Sequence, residues 1–307
     1  MKRAVNCGLV KADNMKQAIL LLSFGTPRQP SDLLPYLTSI RRGKIPTERE
    51  LKVLTARYDA IGQWDNKLLQ TMGEEQKKTL KSLLAIDAMY LAYLHMPNSM
   101  EQAIESIATA GYTSVLCIVT SPFYSMVGTG AYERKLHSIL RAYPDISCEI
   151  IKSWWNKPQF FEYWRSQLMA ANPLQADTAC IFSAHSVPTS TVGSYEDEAM
   201  SASNQIAKMV GLNHWYQAWQ SAAPYGEWLG PTIESVIEQA LIDGAKRIVC
   251  IPFGFVSDHV EILYDNDIIC RNIVENAGAT YERLPMPNGN TLFMEAMAKA
   301  IRERINK

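Results

Sequence analysis

Short runs of apolar and β-branched residues recur along the chain, at 18–24, 88–94, 114–120, 147–153, 179–184, 214–220, 246–252 and 279–283. Runs of this length, bounded by turn residues, predict strands buried on both faces, as in parallel sheets. Between them lie segments with apolar positions at helical spacing: 47–60, 66–84, 98–109, 130–142, 158–170, 194–210, 230–241, 260–275 and 290–305. Several carry start signals: Pro46-Thr47 ahead of 48–60, Asn98 ahead of 99–109, and Gly230-Pro231 at the head of 232–241. Strands alternating with helices predict crossover units on a parallel sheet.

The pattern also repeats itself. The strand at 18–23 runs into Ser23-Phe24-Gly25-Thr26-Pro27, and the strand at 179–184 runs into His185-Ser186-Val187-Pro188. Helix 98–109 leads through Ala110-Gly111 to a strand closing on Ser121-Pro122-Phe123, and helix 232–241 leads through Asp243-Gly244 to one closing on Pro252-Phe253-Gly254. The expected architecture is α/β, with two similar Rossmann-like halves, each a four-stranded parallel sheet flanked by helices. Open sheets of this kind take ligands at the carboxyl ends of their strands. The stretches 23–27, 121–132, 183–188 and 252–261 are therefore expected to converge on a site between the halves. The expected organisation is a flexible leader at 1–14, a first half at 15–152 with an inserted segment at 31–69, and a second half at 153–287. A C-terminal helix at 288–307 is expected to return to the first half.

Composition narrows the classes. The chain has 307 residues, 47% hydrophobic and 20% charged, enough to bury a substantial core and unlike a disordered or coiled-coil protein. Its 30 Lys+Arg and 31 Asp+Glu give a net charge of -1 without like-charge blocks, which removes the cationic footprint of a nucleic-acid binder. No apolar run approaches the roughly 20 residues of a membrane span, and residues 1–14 lack the apolar core of a signal peptide. Six cysteines occur, at 7, 117, 148, 180, 250 and 270, with no CxxC pair. Buried free thiols of this kind predict a reducing, cytoplasmic setting.

The sequence has no GxGxxG fingerprint, no phosphate loop and no HExxH, and Gly128-Thr129-Gly130 lacks the third glycine of a phosphate cradle. Three groups of residues remain. His185 follows an apolar strand and suits a proton acceptor or a metal ligand, or else a loop histidine bonded to backbone. Asp258, Glu261 and Asp265 fall at helical spacing among Val260, Ile262 and Leu263. Stacked carboxylates repel, so the row fits a cation or proton relay, or else a solvated helix start. Arg41-Arg42-Gly43-Lys44 and Arg57-Tyr58 offer guanidinium forks for carboxylates or phosphates, or else surface charge.

Taken in order, Ser23-Phe24-Gly25-Thr26-Pro27, Ile40-Arg41-Arg42-Gly43, Arg57-Tyr58-Asp59-Ala60-Ile61-Gly62, Ser183-Ala184-His185-Ser186-Val187-Pro188, Trp219-Gln220-Ser221, Trp228-Leu229-Gly230-Pro231, Phe253 through Asp267, and Met286-Pro287-Asn288 resemble the ferrochelatases over 16–305. The overall pattern is most similar to the coproporphyrin III ferrochelatases of Gram-positive bacteria. The resemblance implies a chelatase-type fold and an enzyme that inserts Fe(II) into coproporphyrin III to give coproheme in heme biosynthesis, with release of two pyrrole protons. It implies His185 and Glu261 as the catalytic pair, and His185, Glu261 and Asp265 on the metal side. Porphyrin contacts fall to Phe24, Arg41, Arg57, Tyr58, Asp65, Tyr132 and Trp228, with 31–69 covering the ring. It further implies no permanently bound cofactor, Fe(II) as substrate, no iron–sulfur cluster, a monomer without a transmembrane anchor, and a downstream enzyme that uses coproheme.

The chain departs from the family at three places. Phe24 replaces a tyrosine able to ligate iron, Asp65 replaces a propionate-binding hydroxyl, and Ile269 replaces a further acid. These leave protoporphyrin IX as an alternative substrate and an impaired porphyrin- or heme-binding protein as an alternative role. A cobalt chelatase of the cobalamin route fits less well, because those shorter relatives lack the segment from Arg41 to Leu69.

Overall fold

The computed structural model describes residues 16–62, 64, 68–223 and 225–306. The expected leader at 1–14 and Asp65 lie outside the described residues. Eight strands form two sheets of four: β1 (Gln17–Ser23), β2 (Met89–Tyr93), β3 (Ser114–Val119) and β4 (Ser147–Ile151), then β5 (Thr178–His185), β6 (Trp215–Gln220), β7 (Arg247–Ile251) and β8 (Thr280–Arg283). Every pairing is parallel, in the orders β2-β1-β3-β4 and β6-β5-β7-β8. The two orders are equivalent, so the repeat seen along the chain is a repeat of topology.

The period of the strands divides their side chains between two layers. Ile19 and Leu21 of β1, Leu116 and Ile118 of β3, Cys180 and Phe182 of β5, and Val249 and Ile251 of β7 all enter one core with Phe123, Trp154, Phe160 and Phe293. The intervening Ala18, Leu20 and Leu22 face outward onto α4 (Ser99–Thr109) and α5 (Thr129–Leu140), through Ile104, Ile107 and Leu136. Ala179 and Ile181 of β5 do the same against Ile233 and Ile237 of α8 (Ile233–Ile242). The inner faces of both sheets thus share one apolar core, and the halves are joined at their base. α10 (Thr291–Ile305) packs on both α3 (Leu68–Leu84) and α6 (Pro158–Ala170), and Phe293 stands 5.5 Å from Trp154 between ring centroids.

Local signals account for some of the helix starts. α2 (Glu48–Ala60) opens with a capping box, in which Thr47 accepts from the Glu50 N–H and Glu50 accepts from the Thr47 N–H. Thr232 caps α8 through the Ser235 N–H, one residue past the expected Gly230-Pro231 start.

Two elements differ from expectation. A short helix, α1 (Leu33–Ile40), occupies the inserted segment; its eight residues, with Pro35 inside, are too few to show a period. The single helix expected over 260–275 is a π-helix at Glu261–Cys270 continued by α9 (Arg271–Asn276). A π-helix bonds i to i+5 and shares the apolar spacing of an α-helix closely enough that no sequence pattern separates them.

Candidate active site

β5 is buried from Thr178 to Ala184 and emerges only at its last residue, His185. β6 runs beside it with Gln220 opposite His185, and the Ser186 N–H donates to the Gln220 carbonyl at 2.8 Å. The loop after β7 presses onto the same strand end. A Cβ on Gly254 would stand 2.4 Å from the Ala184 Cβ, and the Gly254 N–H donates to the Ser183 carbonyl at 3.1 Å. Only glycine permits that approach. The Phe123 and Phe253 rings, 5.3 Å apart, tie the loop after β3 to the loop after β7. Three of the four stretches expected to converge do so here.

The π-helix begins at this point, and its first residue is Glu261. His185 Nε2 lies 3.3 Å from Glu261 Oε1, and His185 Nδ1 meets the Ser186 carbonyl. The Tyr195 hydroxyl donates to the His185 carbonyl at 2.9 Å. Burial alone would hold the imidazole neutral, but the Glu261 carboxylate outweighs it and raises the His185 pKa. Burial likewise opposes ionisation of Glu261, and His185 outweighs it and lowers that pKa. The resting pair is an imidazolium and a carboxylate, with side chains 37% and 28% exposed, so small solutes reach both. His259 is different: burial lowers its pKa, and its Nδ1 accepts from the Glu261 N–H at 3.1 Å.

Asp265, one turn along, has its own partners. The Ser221 hydroxyl donates to Oδ2 at 2.7 Å, and Arg57 of α2 approaches Oδ1 at 3.3 Å while its guanidinium stands 5.0 Å from the centre of the Tyr264 ring. Burial raises Asp265 to about 6, against the pull of Ser221 and Arg57. Arg57 thereby connects the inserted segment of the first half to the π-helix of the second. The two carboxylates at helical spacing are not stacked on one cation. Each has a basic partner from a different element, which offsets the repulsion that still acts between them.

The remaining expected residues fall in several places. Phe24 follows β1, is 45% exposed, and sets its ring edge against His95 at 4.4 Å and Tyr36 at 6.3 Å. Burial lowers His95 to about 4, and its Nδ1 bonds the Ser39 hydroxyl at 2.9 Å. Tyr58 is buried against Trp64, with centroids 5.5 Å apart, and burial pushes its hydroxyl up to about 12. Arg41 caps the end of α1 and pairs with Glu50. Tyr132 is buried in the outer layer with Leu20 and Leu22. Trp228 donates its indole N–H to the Tyr225 carbonyl at 2.8 Å, and its backbone bridges to Pro188, which holds it beside the strand that ends in His185. Among the described residues no three His, Cys, Asp or Glu side chains cluster closely enough to hold an ion. His185 and Glu261 are together, and Asp265 is apart from them with Ser221 and Arg57. Sequence reasoning gave no role to Tyr36 or Tyr195, which only the fold brings here, nor to His259 and Tyr264, which stood inside the quoted run Phe253 through Asp267. Gln220 and Ser221 stood within a quoted motif without a function.

This arrangement can exchange protons through an imidazole and a carboxylate at the carboxyl ends of parallel strands, with guanidinium groups nearby. A comparison with known families matches residues 16–305 to ferrochelatase. The chain belongs to the ferrochelatase family. As a ferrochelatase it is a metal-inserting enzyme of heme biosynthesis. It is 33% identical over 302 residues to the coproporphyrin III ferrochelatase of Geobacillus kaustophilus (strain HTA426), covering 93% of this chain and 95% of that one. It is 31% identical over 303 residues to the coproporphyrin III ferrochelatase of Staphylococcus aureus (strain Mu50 / ATCC 700699), covering 94% and 98%. Among solved structures it resembles the sirohydrochlorin chelatase SirB from Bacillus subtilis subspecies spizizenii in complex with cobalt, with TM-score 0.61 at 10% identity over 94% of this chain and 95% of that one. It also resembles CbiX, the terminal enzyme for biosynthesis of siroheme in denitrifying bacteria, with TM-score 0.56 at 13% identity over 93% and 98%. At such identities the ferrochelatase shares their fold. No helix among its described residues is long and apolar enough to cross a membrane.

Proposed function

We propose that this ferrochelatase inserts Fe(II) into coproporphyrin III to give coproheme, and that His185 and Glu261 carry the chemistry. The observation that carries the assignment of residues is the 3.3 Å pair at the end of β5. The named relatives at 31–33% identity support coproporphyrin III as the ring. Metallation has to remove two pyrrole protons and strip water from a divalent cation. An imidazole and a carboxylate suit both tasks, because they hold Fe(II) without the tight grip of thiolates. The resting imidazolium must first give up its proton. An arriving dication favours its loss to solvent by repulsion, after which the neutral imidazole and the Glu261 carboxylate can each take one pyrrole proton. Asp265 is the outer carboxylate of the metal route.

A tetra-anionic ring needs cations at its rim. In this reading the ring's propionates compete with Asp265 for Arg57 and with Glu50 for Arg41. Phe24, Tyr58, Tyr132 and Trp228 would shape the apolar contact with the ring, and binding energy from its side groups would bend it. The same reading has the protein acting as a cytoplasmic monomer, with halves at 15–152 and 153–287, no resident cofactor, and product passed to an enzyme that consumes coproheme.

Anaerobic incubation of the purified protein with Fe(II) and either coproporphyrin III or protoporphyrin IX tests the proposal through loss of the free-base spectrum. Faster turnover of coproporphyrin III is expected. Preference for protoporphyrin IX would correct the substrate, and tight binding of both rings without turnover would overturn the reading.

A further inference from the structure

Behind His185 and Glu261 lies a set of polar side chains that the chemistry above does not use. Gln220, Ser183 and Asn266 are each almost wholly buried, at 1%, 0% and 0% exposure. They come from β6, β5 and the π-helix, the three elements that meet at the site. Gln220 is the hub. Its Oε1 accepts from the Ser183 hydroxyl at 2.9 Å and from Asn266 Nδ2 at 3.1 Å, and its Nε2 donates to the main-chain carbonyl of Glu261 at 3.3 Å.

The direction of the amide follows from this set. The Glu261 carbonyl can only accept, so it fixes the amide nitrogen on its side and turns the oxygen towards Ser183 and Asn266. The backbone of Gln220 meanwhile accepts from Ser186, the residue after His185, at 2.8 Å. One residue therefore holds the strand end that carries the imidazole and the helix start that carries the carboxylate. Bonds in a dry interior do not exchange with water, so such a brace is stiff.

We propose that Gln220 is a positioning residue for metal insertion, which sets the spacing of His185 and Glu261 by holding the main chain of Glu261, with Ser183 and Asn266 orienting its amide. The proposal rests on the metallation reading above. It predicts that loosening the brace lowers the chemical step and leaves ring binding alone, since the buried Gln220 amide bonds Ser183, Asn266 and the Glu261 main chain and none of Arg41, Arg57 or Phe24. A displacement of about 1 Å between reacting groups is enough to cost on the order of a hundredfold in rate.

The test compares the full-length wild type with Gln220→Met, Ser183→Ala and the double variant. The measurements are kcat and KM for coproporphyrin III with Fe(II), ring affinity by fluorescence quenching, and thermal midpoint. For Gln220→Met we expect kcat to fall at least about tenfold, with KM and ring affinity within about twofold of wild type. Ser183→Ala should lower kcat by a smaller factor, and the double variant should be no slower than Gln220→Met, because both act through one bond network. A folded Gln220→Met with kcat within twofold of wild type overturns the proposal. So does a fall in kcat matched by an equal loss of ring affinity, which would mark a merely structural role. Should Gln220→Met fail to fold, Ser183→Ala decides: an unchanged kcat overturns the brace. A wild type that does not metallate coproporphyrin III would instead count against the proposed function.

Discussion

Asp265 carries a free-energy penalty that a single substitution exposes. Its carboxylate is 8% exposed, and burial raises its pKa from 3.8 to about 6 even with Arg57 and Ser221 beside it. A group that binds protons more tightly when folded favours the folded state below its unfolded pKa, and that advantage is lost as pH rises through the folded value. The window here is from about pH 4 to above pH 6. A shift of about two units corresponds to about 3 kcal/mol lost across it. Asp265→Asn replaces the carboxyl with a neutral group of the same shape and abolishes the loss. For a 307-residue chain, unfolding entropy of about 0.6 kcal/mol/K makes 3 kcal/mol equivalent to about 5 °C. Melting both proteins by calorimetry between pH 4 and pH 7.5 reads this group, since titrations that Asp265 does not perturb cancel in the difference. The variant should gain about 5 °C relative to wild type between those limits. A constant difference would refute the reasoning. A relative loss would mean that the Arg57 ion pair outweighs burial.

Three further outcomes follow from the same geometry. Glu261→Gln removes the charge that keeps His185 protonated, so the imidazole titration observed by NMR should move down, and metallation should slow about a hundredfold; an unmoved titration would break the pairing. Phe123→Ala should cost about 3–5 kcal/mol in denaturant unfolding, because Phe123 is buried between Phe160, Tyr195 and Phe253 in the core shared by both sheets; a cost under about 1 kcal/mol would deny that shared core. Cys117 bonds Cys148 with sulfurs 3.6 Å apart, and this contact lowers the Cys148 pKa while raising that of Cys117. Among the cysteines at 117, 148, 180, 250 and 270, peptide mapping after brief alkylation should find Cys148 modified first, and earlier labelling of a fully buried thiol would contradict it.

The strands and most helices were legible because burial on both faces and helical period are local properties. His185 was legible for the same reason, as the first polar residue after an apolar strand. What local pattern does not carry is the partner across the fold. Arg57 reads from sequence as a fork for an anionic ligand or as surface charge and is found against Asp265, more than 200 residues on. Glu261 and Asp265 read as one acidic row and are found with different basic partners, His185 and Arg57. The π-helix was beyond reach because its hydrogen-bond register is set by the elements it docks against. Gln220 shows the limit most clearly: its importance lies in three bonds to two other elements, neither of them near it in sequence.

The equivalent order of the two sheets places β1 and β5 at matching positions, so Ser23-Phe24 and His185-Ser186 are the same corner of the architecture built twice. A symmetric pair of identical units would present one set of side chains to both sides of whatever lay between them. Joining the two units in a single chain lifts that symmetry. One corner carries the Phe24 ring beside His95, whose pKa burial lowers, while its twin carries the His185–Glu261 pair, and in the proposed reading a flat ring between them meets chemically different sides. In the proposed reading the difference between the two corners gives the site a direction that no twofold assembly of a single unit can have.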